Sequence, residues 1–218
     1  YENTVFSTLV DRYFNNPKDI EAHRQLRTWL SQFKIVNQYN NLCLHDAKGI
    51  ERFALPDLPE PHSSTYKDKI SEAVKSGKIT IADFYRNEYD QHIYLNIFVP
   101  ILDPKNNSRV NGVLSLRIDP ESYLYPYIKS WPTQSKTSET MLVRREGDDV
   151  LYLNELRFKK NTALSLAVSL KNKNVPAVRA VLGERGIVEG LDYRSVPVLA
   201  DIHHIPNSPW FIITKMDM

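Results

Sequence analysis

One cysteine, seven glycines and no long apolar run restrict what this 218-residue chain can be. With Cys43 alone, no internal disulfide can form, so a disulfide-stapled scaffold is excluded. Cys43 stands between Leu42 and Leu44 in an apolar strand pattern, the setting of a buried, inert thiol rather than a nucleophile. The few glycines form no phosphate-cradling loop, and neither His-Glu-x-x-His nor Gly-x-Ser-x-Gly occurs, so no familiar enzyme signature is present. No apolar stretch reaches the about 18 residues a membrane-crossing helix needs. Charge of one sign is lacking too: the net charge is +2, and the basic residues are scattered. A nucleic-acid partner, which calls for a concentrated Lys/Arg face, is not expected.

What is present is an ordinary globular composition, 42 % hydrophobic and 25 % charged, able to bury a core. The length suits one large domain or two of about 100 residues. Val5, Leu9 and Tyr13, with Phe6 and Val10 beside them, recur at helical spacing until Asn15-Asn16-Pro17. Asp19 can then cap a second helix striped by Ile20, His23, Leu26, Leu30 and Phe33. Strands are expected over 39–46 and through Phe53 and Leu55, around a turn at Ala47-Lys48-Gly49. A Pro-rich loop from Pro56 to Pro61 leads to a helix capped by Ser63 or Ser64, striped by Tyr66, Ile70, Ala73 and Val74, and closed by Gly77. Strands at 79–86, 92–103 and 110–118 follow, the last two forming a hairpin through 104–108.

The second half repeats this plan. Strands are expected at 140–145 and 150–153 around the turn 146–149, then a short strand near 164–170 and a helix over 176–182 ended by Gly183. Strands at 187–193, 197–205 and 210–216 complete it. Gly49 and Gly147, in equivalent turns, are 98 positions apart. The segment from Leu114 to Asp119 aligns with that from Ile212 to Asp217 at the same offset of 98, which indicates an internal duplication. Each unit reads strand–strand–helix–strand–strand–strand, and tight turns make consecutive strands antiparallel. The expected fold is α+β: two tandem PAS-like units, each a five-stranded antiparallel sheet with helices. A long N-terminal helix precedes them, and a helix around 121–131 joins them. The expected domains are 1–130 and 131–218.

The most specific run is Arg144-Arg145-Glu146-Gly147-Asp148-Asp149-Val150-Leu151-Tyr152-Leu153-Asn154, followed by Gly186, Gly190 and Asp192-Tyr193-Arg194. Ile205-Pro206-Asn207-Ser208-Pro209-Trp210 and Lys215-Met216-Asp217 close it. This succession resembles the membrane-proximal unit of double Cache (double PDC) sensors, the extracytoplasmic modules of sensor histidine kinases, diguanylate cyclases and chemoreceptors. Ser195 stands where the family pattern has Gly after Asp-Tyr-Arg, which implies an altered turn. The resemblance covers nearly the whole chain, more strongly in its second half. It implies an extracytoplasmic fragment flanked by membrane helices that the chain itself lacks, a homodimer in the full-length receptor, an unidentified small-molecule ligand and no cofactor. A two-component histidine kinase is the favoured output. A cyclase, a chemoreceptor, or a ligand-free spacer and dimer contact are the alternatives. Some family members recognise amino acids through a Tyr, Arg, Trp and Tyr cluster plus an Asp ending the last strand. Only Asp119 has a clear counterpart here.

Among polar candidates, His203-His204 would point to opposite faces of a strand and cannot jointly grip a metal; His45 and His92 lack partners at ligand spacing. Asn106-Asn107-Ser108 marks a polar, exposed loop. In the strand 92–103, one face is apolar, with Ile93, Leu95, Ile97, Val99 and Ile101, and the other mixes His92, Tyr94, Asn96, Phe98 and Pro100. Ser115, Arg117 and Asp119 share a face of the next strand. Rings mixed with donors and acceptors suit a small polar ligand. The candidate contacts are Tyr85, Arg86, Tyr94, Asn96, Arg117 and Asp119, covered by residues 56–74. Asp119 before Pro120 also reads as a helix N-cap.

Overall fold

The computed structural model describes residues 4–57, 63–130 and 135–218. Helix α1 (Thr4–Asn15) buries Phe6, Val10 and Tyr13 along one stripe. Asn16-Pro17-Lys18 breaks the helix, and Asp19 restarts it by accepting the Ala22 N–H at 2.9 Å. Helix α2 (Ile20–Val36) buries Ala22, Leu26 and Leu30. The opening is therefore two helices rather than one long helix, because Pro17 removes a donor where the helical ladder would need it.

Strands β1 (Asn41–Asp46), β2 (Glu51–Leu55), β3 (Thr80–Arg86), β4 (Ile93–Asp103) and β5 (Asn106–Ile118) form one antiparallel sheet in the order β2-β1-β5-β4-β3. Helix α3 (Ser64–Ser76) is capped by the Ser63 hydroxyl, which accepts the Tyr66 N–H, and ends at Gly77 in the left-handed conformation (φ 63°). Alternation along the strands sends two sets of side chains to two faces. Leu42, Leu44, Leu114 and Leu116 pack with α1 and α2. On the other face Phe98 and Val113 pack with Tyr66, Ile70 and Ala73 of α3. Both faces are covered, so β1 is buried from Asn41 to His45.

The chain divides after Pro120 into two units, which places helix α4 (Leu124–Lys129) with the second unit, whereas the sequence suggested a boundary after residue 130. Helix α4 is shorter than the expected 121–131, and Trp131 lies outside the described residues. Its Tyr125 is fully buried and donates to the Leu153 carbonyl at 2.5 Å. The second sheet contains β6 (Glu139–Glu146), β7 (Asp149–Tyr152), β8 (Ala167–Ser169), β9 (Gly186–Leu191), β10 (Pro197–His204) and β11 (Trp210–Asp217). Its order is β8-β7-β6-β11-β10-β9, six strands, one more than the five-stranded plan of each unit, the addition being the short strand expected near 164–170. The extra strand β8 pairs Ala167 with Leu151 and Ser169 with Asp149; it occupies the edge that β7 would otherwise expose. Helix α5 (Pro176–Val181) covers the sheet face that carries Met141, Val143, Ala200 and Ile213.

The duplication appears in the register. Asn41 pairs with Arg117 and Leu42 with Leu116 in the first sheet; Glu139 pairs with Lys215 and Thr140 with Thr214 in the second. Every one of these second-unit residues stands 98 positions after its first-unit counterpart. Gly49 and Gly147, at the same offset, both turn with positive φ, 79° and 59°, the conformation in which glycine carries no Cβ penalty.

Candidate ligand-binding site

The α3-covered face of the first sheet is apolar at its centre and polar toward the end of β5. Register lines up Asn41, Arg117, Asn96 and Ala82 across β1, β5, β4 and β3. The neighbouring line is Cys43, Ser115, Phe98 and Thr80. Helix α3 reaches this second line through Tyr66, whose hydroxyl lies 2.6 Å from Ser115 Oγ and whose ring meets Phe98 edge-on at 4.9 Å.

Of the six sequence candidates, four converge. The Arg117 guanidinium lies over the Tyr94 ring, 5.1 Å from its centroid. Tyr94 is the register partner of Tyr85, and their rings are 6.4 Å apart. The Tyr85 hydroxyl donates to Asn96 Oδ1 at 3.4 Å. The Tyr94 hydroxyl donates to Asp90 Oδ2 at 2.8 Å, an acceptor that the sequence reading overlooked. Burial would raise the Asp90 carboxyl. The His92 N–H and the Tyr94 hydroxyl, with the charges of His92 and Arg117 nearby, outweigh that and hold it below its usual range. Burial, reinforced by Asp90, pushes the Tyr94 hydroxyl upward, so it stays a donor.

The other two candidates stand differently. Arg86 pairs with Ile93, hence on the face opposite Tyr85 and Tyr94, and is exposed, donating to the Gln91 carbonyl at 2.8 Å. Asp119 follows β5 directly and is half-buried. It does not cap α4, as its sequence had suggested: that helix starts at Leu124, behind Tyr123, with no side-chain cap bond. Intervening turn residues 120–123 separate the two. Of the expected cover, residues 58–62 lie outside the described residues, and α3 supplies the rest.

Asn96 is only 1 % exposed, and its Nδ2 has no hydrogen-bond acceptor among the described residues. A buried amide donor left in that condition costs about 1–3 kcal/mol. Asn41, missed in the sequence because its place depends on the pairing of β1 with β5, is buried on the same register line across Arg117 and accepts from Cys43 Sγ at 2.9 Å. Burial pushes the Cys43 thiol up to about 12, as expected of an inert cysteine.

The second unit treats the same register differently. Where the first has Asn41, Arg117 and Asn96, the second has Glu139, Lys215 and Ala200. Lys215, 1 % exposed, reaches Asp192 at 3.0 Å, Asp217 at 3.2 Å and Glu139 at 3.5 Å. Arg194 closes the group on Asp192 at 2.6 Å and Asp217 at 2.5 Å. Burial would raise the Asp192 carboxyl, yet bonds from Arg194, Lys215 and the Arg194 and Val196 backbone N–H groups hold it low. This charge cluster is satisfied from within.

Among the described residues, no group of three His, Cys, Asp or Glu could hold a metal ion. His204 bonds the Ser208 carbonyl at 2.9 Å, and His203 pairs with Asp201. No helix among these residues is long and apolar enough to cross a membrane.

No family model matches the chain, and no curated protein matches it. Solved structures do. The ligand-binding domain of the Pseudomonas aeruginosa PAO1 amino acid chemoreceptor PctB, in complex with L-Arg, aligns with a TM-score of 0.61 at 15 % identity, over 98 % of this chain and 86 % of that one. That of the Pseudomonas fluorescens chemoreceptor CtaA, in complex with L-serine, gives 0.59 at 15 % identity, over 98 % and 86 %. The extracellular domain of the putative histidine kinase mmHK1S-Z2 gives 0.59 at 16 % identity, over 89 % and 81 %. Two duplicated α+β units, with two opening helices on the first, thus give this chain the tandem PAS-like, double Cache fold that it shares with these three domains.

Proposed function

We propose that the chain is the extracytoplasmic sensing domain of a membrane receptor and binds one small polar molecule on the α3-covered face of its first unit. The observation that carries this reading is Asn96: a buried amide donor without an acceptor among the described residues, in register with Arg117, under an aromatic wall of Tyr85 and Tyr94. A ligand oxygen would satisfy it, and the Arg117 fork suits a carboxylate. Asp119, at the end of the same strand, suits an amine. A small amino-carboxylate therefore fits the chemistry, in keeping with the amino acids named for PctB and CtaA. The domain's work is recognition rather than catalysis. Its output is a histidine kinase, with a chemoreceptor as the second choice, and the receptor works as a homodimer.

The test is a thermal-shift screen against amino acids, carboxylates and amines, since a ligand bound only by the folded state raises Tm. A hit should be confirmed by calorimetry, and Asn96→Leu and Arg117→Ala should each weaken it at least tenfold. If no compound moves Tm, the ligand-free spacer reading takes over. If a hit survives both substitutions, the site lies elsewhere.

A further inference from the structure

The charged cluster of the second unit occupies the register of the first unit's candidate site, with a carboxylate, Glu139, where the first unit has the Asn41 amide. Glu139 stands, like Asn41, on the strand beside the basic residue. Its carboxylate does what a bound carboxylate would do. One oxygen accepts the Arg157 N–H at 2.5 Å, and the other accepts the Tyr193 hydroxyl at 2.9 Å and lies 3.5 Å from Lys215 Nζ. Phe158 lies against the cluster, its ring centroid 4.8 Å from Lys215 and 4.4 Å from Arg194. The loop that carries it is closed by Glu155, which accepts the N–H groups of Asn161, Thr162 and Ala163.

We propose that the second unit holds a sealed small-carboxylate site whose occupant is its own Glu139 carboxylate, so that the wild-type unit takes no external ligand there. Three carboxylates (Glu139, Asp192, Asp217) meet two cations (Lys215, Arg194) in this cluster, and the Arg157 backbone N–H adds a neutral donor to Glu139. Removing the Glu139 carboxylate leaves two part-buried donors, the Arg157 N–H and the Tyr193 hydroxyl, without their acceptor, and takes one carboxylate away from Lys215. A free carboxylate of matching size restores both hydrogen bonds and the contact with Lys215 together. The inference concerns the second unit alone and stands whatever the first unit binds.

Size makes the test specific. Glu139→Ala removes a CH2–COO− group, which acetate replaces; Glu139→Gly removes one carbon more, which propionate replaces. Melting temperatures would be compared at roughly 50 mM chloride, acetate and propionate, at equal ionic strength, because the gain follows ligand concentration over Kd. Glu139→Ala should melt several degrees below wild type in chloride and recover most of the loss in acetate. Glu139→Gly should respond more to propionate than to acetate. Wild type serves as the control for any carboxylate effect in the first unit, and Glu139→Gln, which keeps the space filled, should not respond. Should Glu139→Ala fail to fold in chloride, refolding by dilution into acetate must recover it. A folded Glu139→Ala no more responsive than wild type, a Glu139→Gln that responds equally, or a protein unrecovered in either carboxylate overturns the proposal.

Discussion

The Tyr66 hydroxyl lies 2.6 Å from Ser115 Oγ, joining α3 to the middle of β5 inside the first unit. The Tyr66 ring is held independently, edge-on to Phe98 at 4.9 Å and to His45 at 5.6 Å. Tyr66→Phe should therefore keep the packing and lose one buried bond, for a loss of about 1 kcal/mol. Ser115→Ala should cost a similar amount, and the double variant clearly less than their sum. Urea unfolding of the four proteins measures this; strict additivity would show that the bond contributes nothing.

Gly112 should tolerate no side chain. A Cβ there would lie 2.5 Å from the His45 carbonyl oxygen and 2.8 Å from the Phe14 ring. The first obstacle is backbone on the paired strand β1, so rotamer changes cannot relieve it. Gly112→Ala should destabilise the first unit by about 1–3 kcal/mol, the usual range for overpacking. An unchanged denaturation midpoint would mean that β1 and β5 separate more easily than their register implies.

Cys43 should be silent to thiol reagents in the native protein. Burial raises its thiol to about 12, so at pH 8 almost no thiolate exists even where a reagent could reach it. Labelling with a chromogenic disulfide should proceed only as the first unit opens, and accelerate with denaturant. Immediate stoichiometric labelling in buffer would contradict the burial.

Acid should weaken the second unit through Asp192. Its carboxyl is held below its ordinary range in the folded state, so the unfolded chain binds a proton first as pH falls. The stabilisation is complete above the unfolded carboxyl pKa, near about 4. It is lost as pH drops through the lower folded value. Unfolding free energy followed from pH 7 downward should fall in that acid window, and Asp192→Asn should flatten the fall. Identical pH profiles for both proteins would remove Asp192 from the explanation.

Much of this was legible in the sequence for local reasons. Asp19, Ser63 and Gly77 announce helix ends because their chemistry acts within one turn, and the 98-residue offset of Gly49 and Gly147 reports a repeat that the strand register follows. The site was only partly legible. Tyr94 and Asn96 could be placed on one face of their strand, and Arg117 on one face of the next, by alternation alone. Asn41 and Asp90 could not, since their roles depend on a non-local strand pairing and on the folded β3–β4 turn. Arg86 fell on the opposite face because the irregularity between Ala82 and Tyr85 resets the alternation of β3. Strand β8, three residues long, lies inside the short strand expected near 164–170, but only its pairing with β7 fixes its ends.

Strand β5 gives the first unit a party wall. Leu114 and Leu116 belong to the room furnished by α1 and α2, while Ser115 and Arg117 belong to the room under α3. Leu116 and Arg117 are joined by a single rigid peptide plane. Any ligand that tugs on Arg117 is already pulling on the packing of the opening helices, one bond away, with no relay of side chains in between.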